Sequence, residues 1–187
     1  MAECLLTDFL EWWYNIAMTH PIIEQAINLR KTKGRIDIIE LANSLGIKVY
    51  STEEINVPSF IAYDKDLDVY EIYVNSREKP TRKRFSIAHE IAHFIKHKDK
   101  IVEFGVVGRQ NNCSLSIKEE EDADNFAAEL LMPVECVTDF LKSQNINKQS
   151  KIDRDIVSKF ANEFDVSLFA AIIRLRELGY YVGYIEV

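Results

Sequence analysis

Cysteine is scarce in this chain of 187 residues, and its three cysteines, Cys4, Cys113 and Cys136, lie far apart in the sequence. Their number is odd and no two of them form a CxxC pair, so the sequence indicates neither a disulfide framework nor a zinc site built from thiolates. Free thiols are typical of proteins that work in a reducing cytosol.

Long apolar runs are also missing, and no stretch approaches the length that a membrane-spanning helix requires. The start of the chain, MAECLLTDFLEWWYNIAMT, is largely apolar but contains Glu3, Asp8 and Glu11 and no basic residue. A secretory signal peptide requires a positively charged start and an unbroken apolar segment, so this segment does not qualify. We therefore expect a cytoplasmic protein.

Basic residues are outnumbered, since 23 Lys and Arg stand against 30 Asp and Glu and the net charge is −7. A chain this acidic repels nucleic acid and anionic lipid unless it holds a local basic patch, and the run Arg82-Lys83-Arg84 is the one short candidate. Apolar residues make up 47% of the chain and charged residues 28%, so it can bury a core of one domain, or of a core with a small appendage.

The hydrophobic pattern predicts a mainly helical α+β protein with a small antiparallel sheet. Amphipathic spacing indicates a first helix over residues 3–18, with the Trp12-Trp13 pair as a packing anchor. Residues 100–115 contain several glycines and asparagines and are predicted to form a loop. Ser116-x-x-Glu119 is a capping box, which predicts a helix from Ile117 to near Pro133. The other predicted elements are helices from Pro21 to about Lys31, over 36–45, from Pro80 to about 97, over about 151–163 and over about 167–178, strands in IKVYS, PSFIAYD and DVYEIYVNS, the last two as a hairpin, and a final strand in YYVGYIEV.

The segment RFSIAHEIAHFIKH, residues 84–97, carries the candidate chemistry: His89, Glu90 and His93 form an HExxH pattern. Residues four apart lie on one helical face, about 6 Å apart along the axis, so both imidazoles can bind one zinc ion at about 2 Å. A glutamate after the first histidine can hold a metal-bound water and accept its proton. The alternative is an ordinary amphipathic helix with solvated histidines, and the pattern favours the metal site over it.

A catalytic zinc site requires a third protein ligand and one open position. His97 continues the histidine face, but its Cα lies about 12 Å along the helix from that of His89, so we expect a solvated histidine near the helix C-terminus. Asp99 could bind metal, but the turn it needs calls for a glycine where this chain has Lys96.

The helix that begins at Ile117 offers a better ligand. Acids favour helix N-termini through the dipole alone, but Glu120 and Asp124 also share a face that borders an apolar one. A carboxylate on the border of a buried face needs a partner, and a metal ion is a good one. We predict that Glu120 is the third ligand and that Asp124 bonds a ligating histidine and fixes its tautomer.

Three blocks of the sequence resemble the ImmA/IrrE metallopeptidase family and occur in its order: IDIIELANSLGIKVY, RFSIAHEIAH and ADNFAAELLMP. They span about residues 36–133, and VSKFANEFDVSLFAAIIRLRELG is similar to the family's C-terminal segment. The resemblance implies a zincin-like domain whose third ligand is Glu120, three residues before Ala123. Glu120 and Asp124 also match the ExxxD pattern of thermolysin-like enzymes. The resemblance to the ImmA/IrrE family further implies a protein that cuts, or otherwise disables, helix-turn-helix repressors of mobile elements or stress responses.

The sequence thus predicts a zinc metallo-endopeptidase with one Zn²⁺ on His89, His93 and Glu120 and with Glu90 as the general base, although manganese or iron would also suit these ligands. The expected substrate is a protein, a helix-turn-helix repressor. We expect three parts: N-terminal helices over 1–34, the peptidase core over 35–135, and a helix-turn-helix-like segment over 136–187 that packs on the core.

Several alternatives stay open. The chain could be an antirepressor that binds its target without cutting it and holds zinc only structurally. Residues 160–179 have the length of a DNA-binding helix-turn-helix, but offer only Arg174 and Arg176 as basic contacts. Cys113 could touch the metal or be an ordinary loop cysteine. The hairpin 59–75 could pair with an extended substrate, and the candidate donors to the oxyanion are Tyr63, Tyr70 and Tyr73.

Overall fold

The computed structural model describes residues 20–107 and 115–185. Within these ranges the chain forms eight helices and six strands, which confirms the predicted α+β fold class. The predicted first helix over residues 3–18, the Trp12-Trp13 pair and Cys113 lie outside the described residues.

Local sequence signals set the helix boundaries. The helices are α1 (Pro21–Lys33), α2 (Ile38–Ser44), α3 (Pro80–Lys96), α4 (Lys98–Phe104), α5 (Ile117–Leu131), α6 (Val134–Ser143), α7 (Arg154–Phe164) and α8 (Leu168–Glu177). Prolines are the first residues of α1 and α3. Proline has no backbone N–H, and at this position the N–H would have no hydrogen-bond partner within the helix. Side-chain oxygens cap the starts of α2, α5, α7 and α8, and they belong to Asp37, Ser116, Asp153 and Ser167. Among the described helices, none combines the length and the apolar composition that crossing a bilayer requires.

Four strands form one sheet in the order β1–β3–β2–β4, and two more form a separate parallel pair. The strands are β1 (Ile47–Thr52), β2 (Ser59–Asp64), β3 (Val69–Asn75), β4 (Val106–Val107), β5 (Lys151–Ile152) and β6 (Tyr181–Val182). The predicted hairpin is present, because β2 pairs antiparallel with β3. The expected sheet was purely antiparallel, but β1 runs parallel to β3. The sheet is mixed because the hairpin reverses the chain between β2 and β3, and β1 pairs with β3, which runs in its own direction, and not with β2.

Helix α3 lies at the centre of the core, since it packs against β2 and β3 on one side and against α5 on the other. Its residues Ala88, Ile91 and Ala92 have no exposed surface, and neither have Ala123 and Ala127 of α5. Small buried side chains on both helices allow their backbones to approach closely. The two helices that carry the predicted metal ligands are therefore in direct contact.

Two helices were not expected. The loop predicted over 100–115 is wrong for its first part, because α4 continues to Phe104 and β4 follows directly. Gly105 ends α4 in a left-handed conformation, with φ of 76°, and so marks a helix cap where the sequence pattern indicated a loop. Helix α6 was missed because Pro133 was interpreted only as the end of α5, whereas it also precedes the first residue of α6.

The C-terminal helices α7 and α8 are the helix pair predicted from the sequence. Arg174 of α8 is fully buried and forms an ion pair with Glu129 of α5. Its guanidinium also donates two hydrogen bonds to the carbonyl oxygen of Met132, at 3.1 and 2.8 Å. The C-terminal helices are thus attached to α5, while the division of the chain at residues 34 and 135 stays a prediction.

Candidate metal centre

The HExxH residues lie on the buried side of α3. His89, Glu90 and His93 are 2%, 1% and 0% exposed. The two imidazoles follow each other at one helical turn, with ring centroids 4.4 Å apart and ring planes nearly perpendicular, at 88°. Packing of α3 against the sheet and α5 therefore holds both rings in place.

A neighbouring side chain contacts the outer nitrogen of each imidazole. His89 Nδ1 lies 2.8 Å from Asp124 Oδ1 and donates its hydrogen, because an ionised carboxylate can only accept. A neutral imidazole that donates from Nδ1 presents a lone pair at Nε2. His93 Nδ1 lies 3.0 Å from His97 Nδ1, which permits the same tautomer in His93. The two Nε2 atoms then point toward one place and lie 2.9 Å apart.

Glu120 reaches the same place from α5. Its Oε2 lies 3.3 Å from His89 Nε2, and its Oε1 lies 3.6 Å from His93 Nε2. The side chain of Glu120 is 26% exposed, so the arrangement is buried on the α3 side and open on the Glu120 side. The structure thus brings together two nitrogen atoms and a carboxylate that come from two helices.

This donor set fits a single divalent metal ion. A tetrahedral ion with ligands at about 2.0–2.1 Å places neighbouring ligand atoms about 3.3–3.4 Å apart. The separations of 2.9, 3.3 and 3.6 Å lie on both sides of that value. Within the described ranges, His89, His93 and Glu120 are the group whose ligand atoms lie close enough to share an ion, all within 4.8 Å of one another. Two imidazoles and one carboxylate suit zinc, and manganese or iron as well.

The start of α5 is held by a second set of contacts. Ser116 and Glu119 form the capping box that the sequence predicts, and Glu119 also pairs with Lys100 of α4 at 2.7 Å. The hydrogen bond from Lys100, followed by those from Ser116, lowers the pKa of Glu119 to about 2. Because Glu120 is the next residue, these contacts help to fix the helical turn that carries this candidate third ligand.

Ser59 is a contact of the site that sequence reasoning missed. It is the first residue of β2, it is 5% exposed, and its hydroxyl donates to Glu90 Oε1 at 2.7 Å. This bond fixes one oxygen of the Glu90 carboxylate beside the histidines. A serine at the start of a strand carries no signal of its own, so only the packing of β2 against α3 reveals it.

His97 differs from its expected role as a solvated histidine. It is half-buried, and its Nδ1 contacts His93 as described above. Burial lowers the pKa of His97 below its ordinary value, which favours the neutral ring that can accept a hydrogen bond from His93. The i, i+4 spacing of the two residues in the sequence is the signal that could have indicated this contact. Asp99, the other alternative, does not belong to the group of potential ligands among the described residues.

The three candidate tyrosines are engaged in other contacts. The Tyr63 hydroxyl donates to Asp68 Oδ1, and the Tyr73 hydroxyl donates to Glu71 Oε2, each at 2.7 Å. The bond to Glu71, with burial as the second cause, raises the pKa of Tyr73 to about 12. Tyr70 packs edge-on against Phe94, with ring centroids 4.8 Å apart. The identity of an oxyanion donor therefore stays a prediction.

Known proteins resemble this chain in both sequence and fold. The sequence model of the Peptidase M78 family, described as the IrrE N-terminal-like domain, matches residues 42–176. That range contains α3 and α5 and thus every residue of the candidate centre. Metallopeptidase ImmA of Bacillus subtilis (strain 168) is 27% identical over 151 residues, which is 80% of each of the two chains.

Solved structures with a similar architecture include a transcriptional regulator. A Mycobacterium tuberculosis transcriptional regulator superposes with a TM-score of 0.54 at 16% sequence identity. The superposition covers 91% of this chain and 51% of the regulator, so this chain spans about half of the regulator's length. At this level of identity the likeness shows a common fold alone.

Proposed function

Because the chain belongs to the IrrE N-terminal-like domain family, we propose that it is a metallo-endopeptidase that uses one Zn²⁺ to hydrolyse a peptide bond in a protein substrate. Membership of this family supports a metallopeptidase-type function, and such a function implies a bound metal ion and a protein or peptide substrate. The zinc ion, the endopeptidase reaction and the roles of single residues are the further parts of this proposal.

The observation that carries the proposal is the convergence of His89 Nε2, His93 Nε2 and the Glu120 carboxylate, with Glu90 next to His89 on the same helix. We assign the first three as metal ligands and Asp124 as the partner that orients His89. When bound, a divalent ion supplies a Lewis acid that lowers the pKa of a coordinated water to about 7 and polarises the scissile carbonyl.

In this proposal Glu90 is the general base and later the general acid. Its carboxylate takes a proton from the attacking water and passes it to the leaving amine. Ser59 donates to Oε1, so the carboxylate is held in one orientation while Oε2 serves the proton transfers. Burial of Glu90 on the inner side of α3 also keeps bulk water from competing for the transferred proton.

The edge of β2 beyond its described pairing with β4 is the proposed place for the peptide backbone. Among the described residues, β4 pairs only with Ile61 and Ala62, which leaves Ser59 beyond the pairing. Tyr63 directs its N–H away from β3, to the carbonyl of Gly105, and Ser59 follows the same alternation. An extended peptide could therefore add a strand beside Ser59 and pass directly by Glu90.

The proposed substrate is a helix-turn-helix repressor of a mobile element or stress response. The resemblance described above implies this class of target, and charge supports it. DNA-binding proteins carry basic surfaces, whereas this chain has a net charge of −7, so the two attract each other at long range.

Incubation of the zinc-loaded protein with the repressor encoded beside its gene tests the proposal, with mass spectrometry as the measurement. We expect defined fragments from the wild type, and none from Glu90→Gln or after chelation. If Glu90→Gln retains zinc and still relieves repression without any fragment, the protein is a binding antirepressor and the peptidase proposal fails. Loading with manganese or iron in parallel identifies the metal that supports cleavage.

A matched pair of variants tests the β2 edge. Ser59→Ala removes only the hydroxyl that holds Glu90, whereas Ser59→Pro also removes the backbone N–H that a substrate strand would use. We expect Ser59→Pro to cleave more slowly than Ser59→Ala at equal thermal stability. Equal rates for the two variants would count against strand pairing at this edge.

Direct DNA binding is disfavoured by the position of Arg174. One of the two basic residues that the second helix of the pair offers is fully buried and bound to Glu129, so it cannot reach a phosphate or a base. A salt-dependent affinity for duplex DNA would reverse this conclusion.

A further inference from the structure

A cavity of about 390 Å³ lies beside the candidate metal centre, between α3, α5 and α8. Part of its lining is apolar and buried, since Met132 and Val166 are almost fully buried and contribute to it. Phe169 and Ile173 of α8 line the same cavity although they are 61% and 40% exposed. Covering these side chains with another apolar group removes their surface from water, so the cavity favours an apolar occupant.

The cavity is connected to the metal centre through shared residues. Asp124, which contacts His89, is part of its lining. Arg82 and Phe85 line it as well, and they also line a smaller cavity that reaches Ser59 and His89. The side chain of Asp124 alone spans the gap between His89 and the cavity, and an extended chain advances about 3.3 Å per residue. A side chain in the larger cavity therefore belongs to a residue within about two positions of a bond held at the centre.

Charged residues of both signs stand around the cavity. Lys79 and Arg82 lie on the α3 side, and Asp124 and Glu177 belong to α5 and α8. Arg174 of α8 also lines the cavity, and its guanidinium binds Glu129 and the carbonyl oxygen of Met132. The opposite charges do not select a charged side chain of either sign, so the apolar lining decides what binds. Ligand sites usually measure about 300–1,000 Å³, and 390 Å³ at the lower end suits one large side chain.

We propose that this cavity is a substrate subsite for one large apolar side chain, aromatic or branched aliphatic, of a residue within two positions of the cleaved bond. The inference rests on the proposed endopeptidase function, which supplies the peptide. The side chain would lie on Met132 and Val166, while Phe169 and Ile173 cover its exposed part.

A binding measurement tests the subsite without any cleavage. N-acetyl-phenylalaninamide, N-acetyl-leucinamide and N-acetyl-alaninamide are titrated into the full-length, zinc-loaded Glu90→Gln protein, and backbone amide shifts are followed by NMR. We expect saturable shifts around Ala128 and Ala170, with dissociation constants for the first two probes about tenfold or more below that of the third. Equal affinity for the three probes, or shifts confined to other parts of the chain, overturns the inference.

Variants of the lining give the control. Ala170→Leu places a larger side chain in the cavity and should weaken binding of N-acetyl-phenylalaninamide about tenfold. Ile173→Ala removes part of the wall and should also weaken it. Ile39→Ala, the same truncation at an exposed position of α2 outside this cavity, should leave the affinity unchanged. Unaltered binding in Ala170→Leu, or equal losses in both isoleucine variants, contradicts the subsite, provided that thermal melts show all variants folded.

A cleavage profile separates this inference from the proposed function. The zinc-loaded wild type is incubated with a proteome-derived peptide library, and the residues that flank each cut are read by mass spectrometry. We expect large apolar side chains to be enriched at one position within two residues of the cut, and the enrichment to move toward smaller side chains in Ala170→Leu. Cuts without such a preference overturn the subsite and leave the peptidase. No cuts in the library together with an intact repressor overturn the peptidase, while the NMR titration still decides what the cavity binds.

Discussion

The buried ion pair between Arg174 and Glu129 provides a test of the fold that does not depend on the proposed function. Arg174 is 0% exposed and the Glu129 side chain 5%. Desolvation lowers the pKa of Arg174, and the adjacent Glu129 carboxylate opposes that shift. Glu129 Oε1 in addition accepts the N–H of Val134 at 3.1 Å, so the pair links α8, α5 and the start of α6.

Arg174→Met keeps an unbranched side chain about as long as the aliphatic part of arginine and removes the charged guanidinium. The variant leaves the Glu129 carboxylate buried without its cation and removes both donors from the Met132 carbonyl. Removal of one partner from a buried pair costs about 3–5 kcal/mol of the free energy of unfolding. For a protein of this size each kcal/mol lowers the melting temperature by about 2–4 °C, so we expect a decrease of about 6–20 °C.

Urea unfolding followed by far-UV circular dichroism measures these effects. Adding Glu129→Gln to Arg174→Met should recover about 2 kcal/mol or more, because glutamine is neutral and its oxygen can still accept the Val134 N–H. The matched control is Arg176→Met, an exposed arginine two residues further along α8, which should change stability by less than about 0.5 kcal/mol. The reasoning is refuted if Arg174→Met costs less than about 1 kcal/mol, or if the two substitutions simply add.

Three further predictions concern the metal centre and its surroundings. Asp124→Ala should weaken zinc binding about 10–100-fold in calorimetric titrations, because it removes the hydrogen-bond partner of His89. Asp124→Asn should lose less affinity. An unchanged affinity in Asp124→Ala would show that the bond to His89 does not support the site. Because the folded-state pKa of Glu119 lies near 2, below its ordinary 4.5, its stabilising charge acts above about pH 4.5 and is lost as the pH falls toward 2. The stability difference between metal-free wild type and Glu119→Gln should therefore narrow across that window, and a constant difference in urea titrations would contradict this. Chelation should lower the melting temperature by about 5–11 °C relative to zinc at 100 times its dissociation constant, but should leave His93→Ala unaffected.

Much of the candidate site follows from local geometry. Spacing on a single helix determines that His89 and His93 share a face, and no tertiary information is needed for that step. The start of α5 was also predictable, because the capping box from Ser116 to Glu119 is a contact between residues three apart. Once the helix boundaries are known, the apolar face of α5 orients Glu120 and Asp124 toward α3.

Contacts between distant segments could not be predicted in the same way. Ser59 reaches Glu90 only because β2 packs on α3, and the position of β1 beside β3 depends on the pairing of the whole sheet. The burial of Arg174 is a similar case, since in the sequence it belongs to an amphipathic helix with two arginines. Such positions depend on packing between elements, which the period of a single helix or strand does not encode.

The burial of α3 has a consequence for how the protein acquires its cofactor. Its fully buried Ala88, Ile91 and Ala92 belong to the core, and His89 and His93 directly follow the two alanines on the same helix. We therefore expect the hydrophobic effect that folds the chain also to bring the candidate ligands together before an ion binds. A zinc finger is unfolded without its ion, whereas such a protein can stay folded in the metal-free state. The concentration of free metal in the cell can then set what fraction of the folded protein carries an ion.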